Sequence, residues 1–206
     1  MCGVLQRGVS PPEIVVMASG NGSNFEAIVR ATREGLLFAR VKKLIVDRDC
    51  FAIERAKRLG IDWVRLEKPW QRSLTNLLRE LQPSLVVLAG FMRVLPPEIV
   101  NEWRWKILNI HPSLLPAFPG VEAIRKAYEY GVKVTGITIH FVDEGVDTGP
   151  IIFQKALEVR NEWDLEELEN HIHELEHRYY PRVIHAVLHG TWRIEGRRVI
   201  LEEDIG

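Results

Sequence analysis

The stretch Asn109-Ile110-His111-Pro112-Ser113-Leu114-Leu115-Pro116 sets a carboxamide and an imidazole at alternate positions. In an extended strand successive side chains face opposite ways, so Asn109 and His111 project together while Ile110 points into the core. Pro112 biases the residue before it toward extended geometry and has no N–H for a ladder, so the strand is predicted to end there. A hydrogen-bond donor beside a proton shuttle at a strand's carboxyl end suits a reaction in which a carbonyl oxygen becomes an oxyanion.

A carboxylate within hydrogen-bond range of His111 would fix its ring and favour the charged form. Asp143-Glu144-Gly145-Val146-Asp147-Thr148-Gly149-Pro150 offers three carboxylates among two glycines and a proline, the composition of a shaped loop. Asp147, set between Gly145 and Gly149 where the backbone can turn sharply, is the candidate, with a solvated Asx turn as the alternative. His140 falls inside a strand and reads as a structural histidine.

Ser19-Gly20-Asn21-Gly22-Ser23-Asn24 follows an apolar run and opens a helical pattern. Glycines let backbone N–H groups approach an anion, and a helix N-terminus adds unpaired donors with a favourable dipole. Ser23 with Glu26 fits a capping box. A dinucleotide site is the rival, with Asp47 as its acid, but it wants a third glycine where Phe25 stands. The phosphate of a small substrate is favoured.

His173-Glu174-Leu175-Glu176-His177 matches the H-E-x-x-H pattern of zinc peptidases, and on a helix both histidines share a face. The same helix carries His171 and His185 and many glutamates, so a solvated or substrate-facing flank is preferred to a metal site, and no metal is expected.

These groups need elements to carry them. Strands are predicted over Glu13 to Ser19, Val41 to Asp47, Asp62 to Leu66, Leu85 to Ala89, Lys106 to His111, Val134 to Val142 and Ile151 to Val159. Between them lie helical patterns over Asn24 to Glu34, Ala52 to Leu59, Ser73 to Leu81 and Val121 to Tyr130, with a short helix opened by Pro96-Pro97. A long helix from about Asp164 to His189 and a hairpin from Trp192 to Leu201 complete the chain. This alternation predicts an α/β fold: a Rossmann-like, mostly parallel twisted sheet with helices on both faces, its ligands beyond the carboxyl ends of the strands. Residues 1–206 read as a single domain, its N-terminal part holding the phosphate loop and its C-terminal part the acidic loop and the long helix.

A formal net charge of −1 gives no field to steer nucleic acid or an anionic membrane surface. Two cysteines, Cys2 and Cys50, exclude a disulfide framework and fit a reducing cytoplasm. The residues before Pro11 lack the basic start and apolar core of a signal peptide, and no apolar run approaches the ~18 residues that span a bilayer. Small-molecule substrates and a monomer or homodimer are expected.

S-G-N-G-S-N, L-A-G-F-M-R-V-L, N-I-H-P-S-L-L-P and H-F-V-D-E-G-V-D-T-G-P-I-I occur in this order, and from about Glu13 onward the chain resembles the phosphoribosylglycinamide formyltransferases, folate-dependent enzymes of purine synthesis. The resemblance implies the formyltransferase fold and 10-formyltetrahydrofolate as cosubstrate, without a metal. It implies that Asn109, His111 and Asp147 are catalytic and that Gly22, Ser23 and Asn24 hold the substrate phosphate. Met92, Arg93, Val94 and Leu95 would line the folate pocket beside Asn109, facing a loop of Asp143, Glu144, Gly145, Val146 and Asp147. Arg72 would contact the folate, although Lys68-Pro69-Trp70-Gln71 departs from the family pattern. His173, Glu174, Leu175 and Glu176 would meet the ribonucleotide. Relatives that formylate an aminoacyl-tRNA or hydrolyse the folate share the central motif and would be expected to carry a further domain. The leading dozen residues lie outside the pattern.

Overall fold

The computed structural model describes residues 9–206. In chain order the elements are β1 (Glu13–Ala18), α1 (Ser23–Arg33), β2 (Arg40–Val46), α2 (Phe51–Leu59), β3 (Trp63–Arg65), α3 (Trp70–Leu81), β4 (Leu85–Leu88) and α4 (Pro97–Glu102). They continue as β5 (Ile107–His111), α5 (Ala123–Tyr130), β6 (Val134–Phe141), β7 (Ile151–Glu158), α6 (Leu165–His189), β8 (Trp192–Glu195) and β9 (Arg198–Leu201).

All strands join one sheet in the order β3-β2-β1-β4-β5-β6-β7-β9-β8. β3 through β5 form a parallel, doubly wound half. Beyond it β6 and β7 run antiparallel, so the sheet is mixed rather than parallel throughout. β1 is apolar without alternation because both its faces are covered. Ile14, Val16 and Ala18 pack with Phe25 and Ile28 of α1 and with Tyr180, Val183 and Ile184 of α6. Val15 and Met17 pack on the opposite face with Leu74 and Leu78 of α3 and Ile99 of α4. Each such aliphatic side chain, fully buried, contributes roughly 1.5–3 kcal/mol.

Two helix starts bear on the site. α6 opens on a true capping box, in which Asp164 accepts from Glu167 N–H and the Glu167 side chain accepts from Asp164 N–H. Its Tyr180 hydroxyl donates to Leu88 O at 2.8 Å, bolting the helix to the end of β4. The box expected at Ser23 and Glu26 does not form. Gly22, which has no side chain to cap with, is the N-cap in place of Ser23; the Glu26 carboxylate is drawn to Arg30, Arg55 and Arg58, and the Ser23 hydroxyl meets His177 Nε2 at 3.0 Å.

Candidate active site

β1 lies between β2 and β4, so the strand order reverses between β1 and β4, the place where open α/β sheets bind ligands. Ser19 N–H donates to Gly90 O there, at 3.0 Å, joining the two loops that leave these strands. A cleft of about 480 Å³ opens above them and is walled by the exits of β1, β4 and β5, the loop after β6 and one face of α6.

Asn109, His111 and Asp147 meet in this cleft. His111 Nδ1 lies 3.3 Å from Asp147 Oδ2, and Asn109 Nδ2 donates to Asp147 Oδ1 at 3.4 Å. The other imidazole nitrogen, His111 Nε2, is 2.7 Å from Phe118 O. A carbonyl and a carboxylate can only accept, so the buried ring satisfies both neighbours when it carries two protons. Burial works to raise the pKa of Asp147, but the Gly120 N–H at 2.7 Å and the His111 charge outweigh it and hold the carboxyl below its usual range.

Asp147 adopts φ 55°, the left-handed region that aspartate tolerates better than most residues. The glycines beside it act by close approach rather than by turning. Gly149 has an ordinary φ, and a Cβ there would sit 1.7 Å from Phe141 O.

At the other end of the cleft, Gly22 has φ 77°, and a Cβ would stand 2.7 Å from the Ala52 Cβ. The loop of Gly22, Ser23 and Asn24 therefore lies directly on α2 and presents the start of α1 to the cleft. Asn24 Nδ2 donates to Glu176 Oε2 at 3.0 Å. Glu176 is almost wholly buried, and that burial pushes its pKa up to about 7 against the opposing bond from Asn24. His173 lines the same wall. The H-E-x-x-H pair is spent differently from a zinc site, since His177 turns to Ser23, and among the described residues no group of three or more ligating side chains is placed to hold a metal.

Met92, Arg93, Val94 and Leu95 line the middle of the cleft, opposite Asp143, Gly145 and Val146. Met92 and Val94 expose apolar surface at its mouth, where a flat ring could rest. Asp47 is not at a ribose subsite but is buried beneath this wall. Its carboxylate takes Arg93 Nε at 2.7 Å and Arg48, and Ser19 Oγ receives Met92 N–H at 2.9 Å.

Four expected residues stand outside the cleft lining. Arg72 is exposed on α3, because Leu74 and Leu78 direct that helix's apolar face to the sheet and Arg72 falls on the opposite side. Trp70 stands nearer, edge-on to Phe91 and beneath the Arg93 guanidinium. Glu144 turns away to Asn101 of α4 at 2.9 Å. Glu174 and Leu175 are rotated off the face shared by His173 and Glu176; Glu174 is solvent-exposed and Leu175 packs on the core.

Residues 12–184 match the family model described as formyl transferase. The chain belongs to that formyl transferase family. It is 45% identical over 184 residues to the phosphoribosylglycinamide formyltransferase of Bacillus subtilis strain 168, covering 85% of this chain and 94% of that one. It is 39% identical over 188 residues to the trifunctional purine biosynthetic protein adenosine-3 of Drosophila melanogaster, covering 86% of this chain but 14% of that much longer protein. The crystal structure of glycinamide ribonucleotide transformylase 1 from Symbiobacterium toebii superposes with a TM-score of 0.91 at 42% identity, covering 98% of this chain and 99% of that one.

In this formyl transferase the sequence reading missed His140 and the Phe118–Gly120 segment. His140 Nδ1 donates to Phe141 O at 2.8 Å, which leaves Nε2 to accept from Asn109 Nδ2 at 3.3 Å. Asn109 and His140 are direct cross-strand partners. That pairing depends on β6 running antiparallel to β5, which no local pattern announces. The signal for the other segment was Pro116-Ala117-Phe118-Pro119-Gly120, a turn-forming composition immediately after the His-Pro motif.

Proposed function

We propose that this chain transfers the formyl group of 10-formyltetrahydrofolate to the primary amine of glycinamide ribonucleotide in purine biosynthesis. One observation carries the reading: Asn109 and His111 converge on one carboxylate, Asp147, in a cleft whose far end is lined by the start of α1, where backbone N–H groups suit an anion. An anion seat and a set of oxyanion-stabilising groups at opposite ends of one cleft are what a phosphorylated amine and an acyl donor require. The relatives' names agree with that pairing of substrates.

The phosphate would rest on the N–H groups of Gly22, Ser23 and Asn24, and the ribose and glycinamide would run past His173 and Glu176 toward the acid. The folate would lie between the Met92–Leu95 wall and the Asp143–Val146 loop, its formyl carbon above Asn109. The amine attacks that carbon, forming a C–N bond, and the carbonyl oxygen takes the negative charge. Asn109 Nδ2 donates to it, exchanging two long bonds of 3.3 and 3.4 Å for a shorter one. His111 adds positive charge at the same oxygen, and it donates Nε2–H directly once the Phe118 carbonyl yields to the substrate. Asp147 keeps the imidazolium oriented and, through water, passes the amine proton to the departing folate nitrogen as the old C–N bond breaks. Positioning by phosphate and folate makes the two-substrate step effectively unimolecular.

The test is formyl transfer to glycinamide ribonucleotide, followed by the change in folate absorbance. Turnover with that amine, and none with water as acceptor, supports the reading; folate hydrolysis without transfer would assign the cleft to a hydrolase.

A further inference from the structure

We propose that Arg55 is the positioning residue that gives the Gly20–Asn24 loop its affinity for phosphate, an inference that rests on that loop being the seat of the substrate's phosphate. A backbone anion site needs its N–H groups facing inward and its carbonyls turned away. Both carbonyls at the entrance of this loop are tied back onto α2. Gly20 O accepts Ala52 N–H at 3.0 Å, and Asn21 O accepts Arg55 Nε–H at 2.8 Å. Arg55 Nη2 also donates to Asn21 Oδ1 at 2.7 Å, so the same guanidinium fixes the Asn21 side chain.

The remaining nitrogen, Nη1, pairs with the buried Glu26 carboxylate of α1, and the plane lies 5.0 Å from the Phe51 ring centre. Arg55 therefore spans the loop, the helix that follows it and the helix beneath it. Its fork meets three acceptors in fixed directions, which a lysine ammonium cannot reproduce. Glu26 also receives Arg30 and Arg58, so three guanidinium groups stand against one carboxylate below the loop. The surplus positive charge favours a dianion above it. Arg55 does not itself line the cleft, so its effect passes through Asn21, which does.

The experiment compares glycinamide ribonucleotide with its dephosphorylated nucleoside in the wild-type enzyme and in Arg55→Met. Wild type should prefer the phosphorylated substrate strongly. Arg55→Met should raise KM for that substrate by at least about ten-fold, from the loss of charge-assisted bonds to Asn21. Its kcat, its KM for the folate and its kcat/KM on the nucleoside should stay near wild type, so the phosphate preference collapses. Arg55→Lys should fall between the two, and it carries the same comparison should Arg55→Met not fold. Added methylguanidinium should restore part of the preference to Arg55→Gly. If the preference survives in the variants, or activity on both substrates falls equally, Arg55 is merely structural and the proposal is overturned. If wild type shows no preference for phosphate, the loop is not the phosphate seat, and this inference fails with that assignment while the formyl-transfer assay stands separately.

Discussion

Asp147 brings a single oxygen, Oδ2, to 2.7 Å from the Gly120 amide and 3.3 Å from Nδ1 of His111. The loop after β6 thereby reaches across to the segment after β5, and one carboxylate fixes both the imidazole and the backbone that flanks it. Asp147→Asn keeps the shape but removes the charge and gives the oxygen's partners a neutral acceptor. Turnover should fall by about 10²–10³, the range for losing one transition-state stabilising group, while the thermal melt moves little. Near-normal kcat in this variant would remove Asp147 from the proposed chemistry.

His140 holds Asn109 from the side, its Nε2 accepting one carboxamide hydrogen while Asp147 Oδ1 accepts the other. Asn109→Ala should cost about 10²–10³ in kcat with little change in folate affinity. His140→Ala should cost less, because it frees the carboxamide to rotate without deleting it. In the double variant the effects should combine non-additively, as expected for groups in contact. Simple additivity in that double-mutant cycle would show that His140 acts elsewhere.

Gly22 tests the seating of the proposed phosphate loop on α2. An alanine there would force φ 77° on a residue with a Cβ and press that Cβ to 2.7 Å from the Ala52 Cβ and 2.8 Å from its Cα. The loop must lift, so Gly22→Ala should weaken binding of inorganic phosphate and of the phosphorylated substrate by about ten-fold, at roughly 1–3 kcal/mol of strain. Calorimetric titration of both ligands checks it, and unchanged affinity would place the anion elsewhere.

Most elements were legible because their signals are local. α2 and α5 end at Gly60 and Gly131, both in the left-handed region, as the sequence pattern predicts. The placement of Asn109 and His111 was legible for the same reason, since strand periodicity alone puts them on one face. What escaped was non-local. The role of His140 depends on the direction of its neighbouring strand, the exclusion of Arg72 depends on how α3 docks, and the diversion of Glu26 from its expected cap depends on guanidinium groups supplied largely by another helix. Asp47 could be named only as the acid of the disfavoured dinucleotide site, because its position after the second strand was its only signal; burial and Arg93 give it a wall to hold.

Asp47 makes the stability of that wall depend on pH. Its side chain has no exposed surface; burial pulls its pKa upward, but hydrogen bonds from Arg48, Ser19 and Arg93 prevail and set it at about 2. A carboxyl held below its unfolded value contributes stability that is complete above about pH 4 and is lost as pH falls through about 2. The difference from 3.8 corresponds to about 2 kcal/mol. Asp47→Asn should lose about that much at pH 7 in urea titrations, raise KM for the folate, and lose little more on acidification. A variant that still weakens as steeply as wild type between pH 4 and 2 would assign the acid sensitivity to other carboxylates.

Glu176 has the opposite sign. Its carboxyl is buried and titrates at about 7 rather than 4.5, so between those values the folded state binds a proton that the unfolded chain has released. Stability from this group is complete below about pH 4.5 and is lost as pH rises through 7, on the order of 3 kcal/mol in all. Asn24 explains why the protonated form is accommodated: its Oδ1 is buried without a hydrogen-bond partner among the described residues, and a turned carboxamide would let a protonated Glu176 donate to it. Nearby His173 and His177 have pKa values lowered by burial and contribute a rise in stability with pH, so the informative quantity is the difference between variant and wild type. Glu176→Gln should leave the protein as stable as wild type near pH 4 and more stable than wild type near pH 8. It should also raise KM for the ribonucleotide at pH 8, where wild type offers a carboxylate to the sugar or amine, and do so far less at pH 6. Parallel stability curves for the two proteins across pH 5 to 8 would refute the buried, late-titrating carboxyl.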